Sequence, residues 1–235
     1  MSAAETLRRN TSVSCSKTVP EEARLSAPPT TRVTRGHGLL ETFLARQRMR
    51  RADRLVSPAH RRGRILDIGC GTYPLFLSLA RFGDRVGLDR IPEDVRARWA
   101  EHGVRLLDHD VEKDARLPYA DGSFEVVTML AVFEHLSDDT LVRVLREVYR
   151  VLKPGGQYIM TTPARWTFYL LNAMARVGLL SRDEIDEHHK TYGHREIGEI
   201  LGKAGFPSDC IRLGHFEAGL NNWGVATKPA SLTPE

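Results

Sequence analysis

The sequence has few cysteines and no long apolar run, and each of these two shortages excludes a class of protein. Its three cysteines lie far apart, at Cys15, Cys70 and Cys210 of 235 residues. They therefore predict neither a disulfide framework nor a metal site, and they suit a reducing cytoplasm. No apolar run approaches the roughly 20 residues that cross a bilayer. The first 30 residues contain no continuous apolar segment, so we expect no secretory signal and a cytoplasmic protein.

What the sequence does contain is ordinary for a globular protein. Hydrophobic residues make up 41% and charged residues 27%. Residues 1–35 are rich in Ser, Thr, Pro and Ala without periodicity, and we expect them to form a disordered leader. Residues 36–235 are long enough for a single domain with a full core.

The positive charge is concentrated before residue 65. Residues 1–64 contain 14 Lys and Arg against 5 Asp and Glu, a net charge of +9, which leaves −5 for the remainder. Apolar residues at helical spacing predict a basic leader helix within 38–60, and Arg46 to Arg64 contribute most of the charge. Two interpretations stay open: solvated arginines on a packed helix, or a surface that contacts phosphates or a peripheral membrane. Nucleic acid is less favoured, because no aromatic residues alternate with the arginines.

The stretch from Arg64 to Phe76 predicts a strand, a glycine turn and a helix. Ile65 to Ile68 form a short apolar run, Gly69 and Gly71 follow, and Pro74 precedes an apolar segment that Gly83 ends. The missing third glycine matters, since Pro74 stands where a dinucleotide-binding turn has Gly. Asp67 also places a carboxylate beside the turn, which disfavours pyrophosphate and favours a cationic or ammonium group.

The rest of the chain alternates strands and helices, which predicts an α/β fold. The predicted strands after the first are 85–89, 104–111, 124–130, 157–162, 210–216 and 221–228, and the last is expected to be antiparallel. The predicted helices are 75–82, 93–102, a segment after Ser137 that Pro154-Gly155-Gly156 ends, and 195–204. We interpret 164–192 as an insertion over the substrate entrance, with a helix pair that completes the core as the alternative.

Five motifs occur in an order that resembles class I S-adenosylmethionine (SAM) methyltransferases. They are Asp-Ile-Gly-Cys-Gly at 67–71, Asp89, Asp110, Glu-His-Leu at 134–136, and Leu-Lys-Pro-Gly-Gly at 152–156. The resemblance covers about residues 64 to 163 and is nearest to the small-molecule and lipid methyltransferase group. With its arginine-rich leader helix, the chain also resembles methyltransferases of bacterial surface-polysaccharide pathways. The family implies a doubly wound, seven-stranded Rossmann-like sheet.

The resemblance also implies which residues bind the cofactor, S-adenosyl-L-methionine. The acid that ends the second strand would accept hydrogen bonds from the ribose hydroxyls, and the acid after the third strand would face the adenine amino group. Asp108 is a rival for that second role. The implied cofactor-binding residues are Asp67, Gly69, Cys70, Gly71, Asp89, Arg90, Asp110, Val111 and Ala131.

Methyl transfer to a hydroxyl needs a base, and histidine is the natural base near neutral pH. His135 lies at the end of the fourth predicted strand, while His188 and His189 lie in the predicted insertion. A helix cap or a wall of the cofactor pocket is the alternative for His135, and simple surface polarity is the alternative for the pair. We expect no metal, since no His-Glu-x-x-His spacing is present.

The leading hypothesis is a SAM-dependent methyltransferase that acts on a hydroxyl oxygen of a small-molecule or glycan-type acceptor. A nucleic-acid methyltransferase is the second hypothesis, and it predicts binding that weakens steeply with salt. A catalytically inactive SAM-binding partner protein is the third.

Overall fold

A computed structural model describes residues 39–114, 116–166 and 191–230, with side chains described from residue 45 onward. All of these residues lie in one unit of the chain, Val33–Glu235. Within those ranges, no helix combines the length and the apolar character needed to cross a bilayer.

The described chain alternates strands with helices, as predicted. A basic helix comes first and a hairpin of two strands comes last. The helices are α1 Leu39–Leu55, α2 Leu75–Leu79, α3 Glu93–Glu101, α4 Asp138–Val151 and α5 His194–Lys203. The strands are β1 Arg64–Ile68, β2 Asp84–Asp89, β3 Val104–Asp108, β4 Phe124–Leu130, β5 Leu152–Pro163, β6 Ile211–Phe216 and β7 Asn221–Thr227.

The seven strands form one mixed sheet in the order β3-β2-β1-β4-β5-β7-β6. Strands β1 to β5 pair in parallel, and β7 pairs antiparallel with both β5 and β6. The order reverses between β1 and β4, which is where open α/β sheets bind their ligands, beyond the carboxyl ends of the strands. The predicted doubly wound seven-stranded sheet is confirmed.

The two faces of the sheet carry different helices, because successive strand residues point to opposite sides. One apolar cluster joins α4 and α5 to the face that includes Leu66, Val127 and Tyr158. The other joins α1, α2 and α3 to the face that includes Ile65 and Val126. Both clusters contain fully buried side chains, so the sheet is covered on both sides.

Helix α1 is attached to the amino end of β5. The backbone N–H of Ser57, just after α1, donates a 2.8 Å hydrogen bond to Oε1 of Gln157. Ala52 and Val56 are buried against the sheet. Helix α1 therefore runs from the carboxyl edge of the sheet toward the amino edge, antiparallel to β5.

Three predicted boundaries were wrong. Strand β3 ends at Asp108 rather than residue 111, because the Asp110 carboxylate accepts from the Glu112 N–H and the chain turns. Helix α2 ends at Leu79, three residues before the predicted end. The Leu152-Lys153-Pro154-Gly155-Gly156 run is the irregular start of β5, where the register with β4 shifts, and not only a helix stop.

Candidate cofactor and active site

The glycine turn after β1 needs its two glycines. Gly69 and Gly71 have φ of 76° and 68°, which side-chain-bearing residues rarely adopt. A Cβ on Gly69 would lie 2.2 Å from Cγ2 of Val132, whereas a Cβ on Gly71 would meet nothing closer than 3.9 Å. The turn is therefore packed against Val132 on one side and open at Gly71. The Gly69 N–H donates to the Leu88 carbonyl at 2.8 Å, which ties the turn to β2.

Asp89, the last residue of β2, holds the same turn. Its Oδ2 accepts a 2.7 Å hydrogen bond from the Gly71 N–H. Its Oδ1 accepts one of 2.7 Å from the N–H of Arg90. Carboxylate oxygens accept more than one hydrogen bond, so Asp89 keeps acceptor capacity for a ligand hydroxyl.

Asp67 is buried at the end of β1, with a side chain 4% exposed. Thr128 Oγ1 on β4 donates to its Oδ1 at 2.6 Å. Burial, and secondarily the negative charge of Asp89, raise the pKa of Asp67 to about 7, although the Thr128 hydrogen bond opposes the shift. A carboxylate in this position gains stability from a nearby positive charge.

Asp110 lies in the turn beyond β3 together with Val111. Its Oδ1 accepts from the Glu112 N–H at 3.0 Å, and its Oδ2 forms an ion pair with Nζ of Lys113 at 3.3 Å. These contacts and the charge of Arg90 outweigh desolvation and lower the pKa of Asp110, so it is ionised at neutral pH.

Asp108, the rival residue, has a structural contact. Its Oδ1 accepts from the Ile91 N–H at 2.9 Å and so holds the β2–α3 loop. Each of the two acids therefore uses one carboxylate oxygen to hold local backbone, and Asp110 pairs in addition with Lys113. Asp110 stays the predicted adenine-facing acid, with Asp108 as its rival.

The end of β4 is strained. Ala131 has φ of 57°, and its N–H donates to the Thr161 carbonyl at 3.0 Å. Non-glycine residues in this region cost free energy and concentrate at functional sites. Glu134, buried at 2% exposure, accepts from the Thr162 hydroxyl at 3.0 Å, and His135 follows it, exposed, in a short 3-10 turn. The strained backbone at Ala131 and the buried Glu134 therefore determine the position of His135 at the end of β4.

Aromatic residues support the turn from α3. The Trp99 indole N–H donates to the Thr72 carbonyl at 3.2 Å, and its ring lies edge-to-face with Tyr73, with centroids 5.3 Å apart. The Cys70 thiol packs on the backbone of Gly87, where a Cβ would be 2.6 Å from the sulfur. Burial, together with Asp67 and Asp89, raises the pKa of Cys70, so it stays a thiol and is a poor nucleophile.

The structure brings most of the predicted site residues to one edge of the sheet. The glycine turn, Asp89, Arg90, Asp110, Val111, Ala131 and His135 all follow the carboxyl ends of β1 to β4. His188 and His189 lie outside the described residues, as does most of the predicted 164–192 insertion. Their roles therefore stay predictions.

Sequence reasoning missed Thr128 and Val132, which contact Asp67 and Gly69. Neither belongs to a motif, and both contacts depend on the register of β1 against β4, which pairs Asp67 with Thr128. A hydroxyl residue inside the apolar run Phe124 to Leu130 is the signal that could have indicated Thr128, since buried polar groups need partners.

Comparison with known proteins finds a family match for the central part of the chain. Residues 66–160 match the family described as "Methyltransferase domain". These residues run from β1 to β5 and include the glycine turn, Asp89, Asp110 and His135.

Individual relatives agree with the family match. A ubiquinone biosynthesis O-methyltransferase of Xanthomonas oryzae is 33% identical over 141 residues, which cover 55% of this chain and 56% of that protein. The chain thus matches a little over half the length of this relative.

Solved structures match the fold. A SAM-dependent methyltransferase of Thermotoga maritima superposes with a TM-score of 0.59 at 21% identity, covering 80% of this chain and 91% of the other. A phosphoethanolamine N-methyltransferase of Haemonchus contortus, solved with S-adenosylhomocysteine, gives 0.57 at 17%, covering 78% and 53%. With the ordered motifs and the sheet topology, these matches show that residues 66–160 form a methyltransferase domain and that the sheet has the class I SAM-dependent methyltransferase fold.

Proposed function

We propose that the protein transfers a methyl group from SAM to a hydroxyl oxygen of a small-molecule acceptor. The observation that carries this proposal is the hydrogen bond from the Gly71 N–H to Asp89, which joins two of the family motifs into one ligand-binding edge. The name of the Xanthomonas oryzae relative, an O-methyltransferase, supports oxygen as the acceptor atom.

The residues of this edge fit SAM. Gly71 leaves open space where a Cβ would stand, Asp110 places an ionised acid just beyond β3, and Asp67 is a buried acid that a cation would stabilise. Asp89 would hold the ribose hydroxyls, Asp110 and Val111 the adenine, and Asp67 the charged methionine end. SAM supplies an electrophilic methyl group on a positive sulfur. The backbone at Ala131, which has a positive φ, would lie beside this methyl group.

The protein's own tasks are alignment and removal of a proton. Orientation of two reacting groups recovers about 7–11 kcal/mol of a barrier. His135 is the candidate base, because it follows the strained end of β4 and is exposed at this edge. His188 and His189 remain further candidates from the insertion.

The acceptor class rests on two different arguments. The match to an O-methyltransferase favours a small hydroxyl-bearing molecule, and the leader helix favours a glycan-type acceptor through the resemblance to polysaccharide-pathway enzymes. An assay with SAM labelled in its methyl group, run on catechol-type and on glycoside acceptors, distinguishes the two classes. The class that gains radioactivity contains the acceptor.

The cofactor part is tested by a thermal titration with SAM and with S-adenosylhomocysteine. A ligand that binds the folded state raises stability as RT ln(1 + [L]/Kd). We expect saturable stabilisation of the wild type and a clearly smaller stabilisation of Asp89→Ala at the same ligand concentration. If neither ligand stabilises the wild type, the proposal fails. Binding without turnover on any acceptor would favour the inactive SAM-binding partner.

A second surface, formed by exposed arginines of α1, indicates which partners the protein binds. Arg46, Arg50 and Arg54 are exposed on α1 at four-residue spacing, so they form a row along one side of the helix. This row supports contact with phosphates, either on an anionic membrane or on nucleic acid. Vesicle flotation with phosphatidylglycerol and RNA binding at 50 and 200 mM salt distinguish the two, and a loss of about 10³-fold with salt would indicate RNA.

A further inference from the structure

Arg51, on the side of α1 that faces the sheet, contacts β7, the strand next to the β6 edge of the sheet. The Arg51 guanidinium carbon lies 4.7 Å from the ring centroid of Trp223 on β7. The ring in turn lies over Gly214 of β6, where a Cβ would be 2.5 Å from the indole. Only glycine permits this packing. Trp223 is thus held between a backbone and a cation, which orients both groups.

Several polar atoms around this stack are buried without a partner. They are the Nε atoms of Arg48 and Arg51, the indole nitrogen of Trp223 and the hydroxyl of Thr161, whose residue is 0% exposed. Arg51 forms no ion pair with any described residue. Oε1 of Glu217, an acceptor near Arg48, is buried without a partner as well. The unpaired donors outnumber this acceptor, and because buried polar groups are normally satisfied, the group indicates a ligand that accepts hydrogen bonds.

The four residues belong to one face of the sheet and one side of α1. Trp223 pairs with Thr161 in the β5–β7 register, and both point toward α1. Arg48 and Arg51 are three residues apart and so lie on the same side of the helix. The donors therefore converge between α1 and the ends of β5 and β7.

This cluster is continuous with the proposed transfer site. Thr161 pairs with Leu130 on β4, and its carbonyl accepts from the Ala131 N–H. Trp223 is thus two strands away from the strained end of β4, or about 10 Å. That separation suits two groups of one small molecule.

One acidic group lies nearby. Burial raises the pKa of Glu217, while the hydrogen bond from Asn221 and the charge of Arg48 oppose the shift. Glu217 is thus near enough to offset part of the charge on Arg48. Arg51 has no such neighbour among its described contacts and carries the uncompensated charge.

We propose that Arg51, with Trp223, Thr161 and Arg48, forms a subsite for an oxyanion, a phosphate or carboxylate carried by the methyl acceptor. The guanidinium presents paired N–H groups that match such a group. The inference rests on the proposed function, and it specifies that the acceptor is an anionic molecule whose charged group binds about 10 Å from the reacting hydroxyl.

The test uses inorganic pyrophosphate and benzoate as probes on the full chain at constant ionic strength. Arg51→Gln removes the charge of the subsite. Arg81→Gln removes the same charge from an exposed position between α2 and β2, outside both arginine surfaces, and serves as the control. We expect one of the probes to stabilise the wild type and Arg81→Gln saturably, and to bind Arg51→Gln at least about tenfold more weakly. Which probe binds identifies the anion as phosphate or carboxylate.

Trp223→Phe keeps a six-membered aromatic ring under Arg51 and removes the pyrrole ring that carries the indole N–H. We expect it to weaken binding of the same probe about threefold to tenfold, while the melting temperature without probe falls by no more than about 4 °C. Probe binding that is equal in Arg51→Gln and Arg81→Gln, or absent from the wild type, would overturn the subsite.

The same variants separate this inference from the proposed function. S-adenosylhomocysteine should bind Arg51→Gln as tightly as it binds the wild type, because the cofactor edge lies on other strands. If S-adenosylhomocysteine does not bind the wild type, the proposed function fails, whatever the pyrophosphate and benzoate results are.

Discussion

Oδ2 of Asp89 accepts a hydrogen bond from the backbone N–H of Gly71 at 2.7 Å, so the end of β2 holds the turn that follows β1. The carboxylate thereby shapes the glycine turn before any ligand arrives. It also remains able to accept from ligand hydroxyls. One side chain thus holds the conformation of the turn, and the same side chain is the one proposed to bind the ribose.

Asp89→Ala should weaken S-adenosylhomocysteine binding by about 10- to 100-fold, because hydrogen bonds to a charged group contribute about 1.5–3 kcal/mol each. Isothermal titration calorimetry measures the change. Asp84→Ala is the matched control at the other end of β2, where the acid pairs with Arg64 and Arg105. It should lower the melting temperature and leave the affinity unchanged. Equal affinity losses in both variants would contradict a specific role of Asp89.

Gly69→Ala should destabilise the fold more than Gly71→Ala. Both positions have positive φ, but only the Gly69 Cβ would overlap Val132. We expect losses in the free energy of unfolding of about 2–4 kcal/mol and about 1 kcal/mol, measured by urea denaturation. Val132→Ala in the Gly69→Ala background should recover part of the loss. No recovery would mean that backbone strain alone accounts for the cost.

The pH dependence of stability should show the raised pKa of Asp67. Between about pH 4 and about pH 7 the folded protein holds a proton on Asp67 that the unfolded chain has released. The contribution of Asp67 to the free energy of unfolding therefore falls as the pH rises through this window and is level above it. Asp67→Asn should remove this slope. The measurement is the free energy of unfolding at several pH values, compared between the wild type and Asp67→Asn.

Cofactor binding should depend on pH in the opposite sense. The ionised carboxylate attracts the positively charged cofactor, so the affinity for SAM should rise between pH 6 and pH 8 and then level off. Thr128→Val removes a hydrogen bond that lowers the pKa of Asp67, and it should move the midpoint to higher pH. A midpoint that does not move would show that another group titrates.

His135→Ala should lower kcat by about 10²- to 10⁴-fold if His135 is the general base. Its affinity for S-adenosylhomocysteine should stay within about twofold. His60→Ala is the control, since His60 lies in a short 3-10 turn before β1, at the opposite edge of the sheet. Activity of His135→Ala within a few-fold of wild type would assign His135 to the wall of the pocket and return attention to His188 and His189.

Local sequence signals predicted the strands and turns of this sheet edge well, because those elements are local. The turn is defined by Gly69 and Gly71 next to an apolar strand, and β4 was predicted at Phe124–Leu130, as observed. Helix α4 was also predicted, since Ser137 caps it by accepting from the Thr140 N–H. The order of the acids then followed from the order of the strands.

Contacts across the sheet could not be predicted in the same way. The pairing of Asp67 with Thr128 and the packing of Val132 on Gly69 depend on register between strands about 60 residues apart. The stack of Arg51 on Trp223 joins residues still further apart. The start of β5 was misjudged because Pro154 and the two glycines are typical of a turn, and a register shift accommodates them in the strand.

The strand order has a consequence for how the chain folds during synthesis. Strand β7 is the last strand along the chain, yet it lies between β5 and β6. Until residues 221–227 have left the ribosome, β6 has no partner in the sheet and β5 exposes an unpaired edge. Exposed edges of this kind pair with other chains. Nascent chains that stall before residue 221 should therefore depend most on chaperones, even though every cofactor-binding motif has already been made.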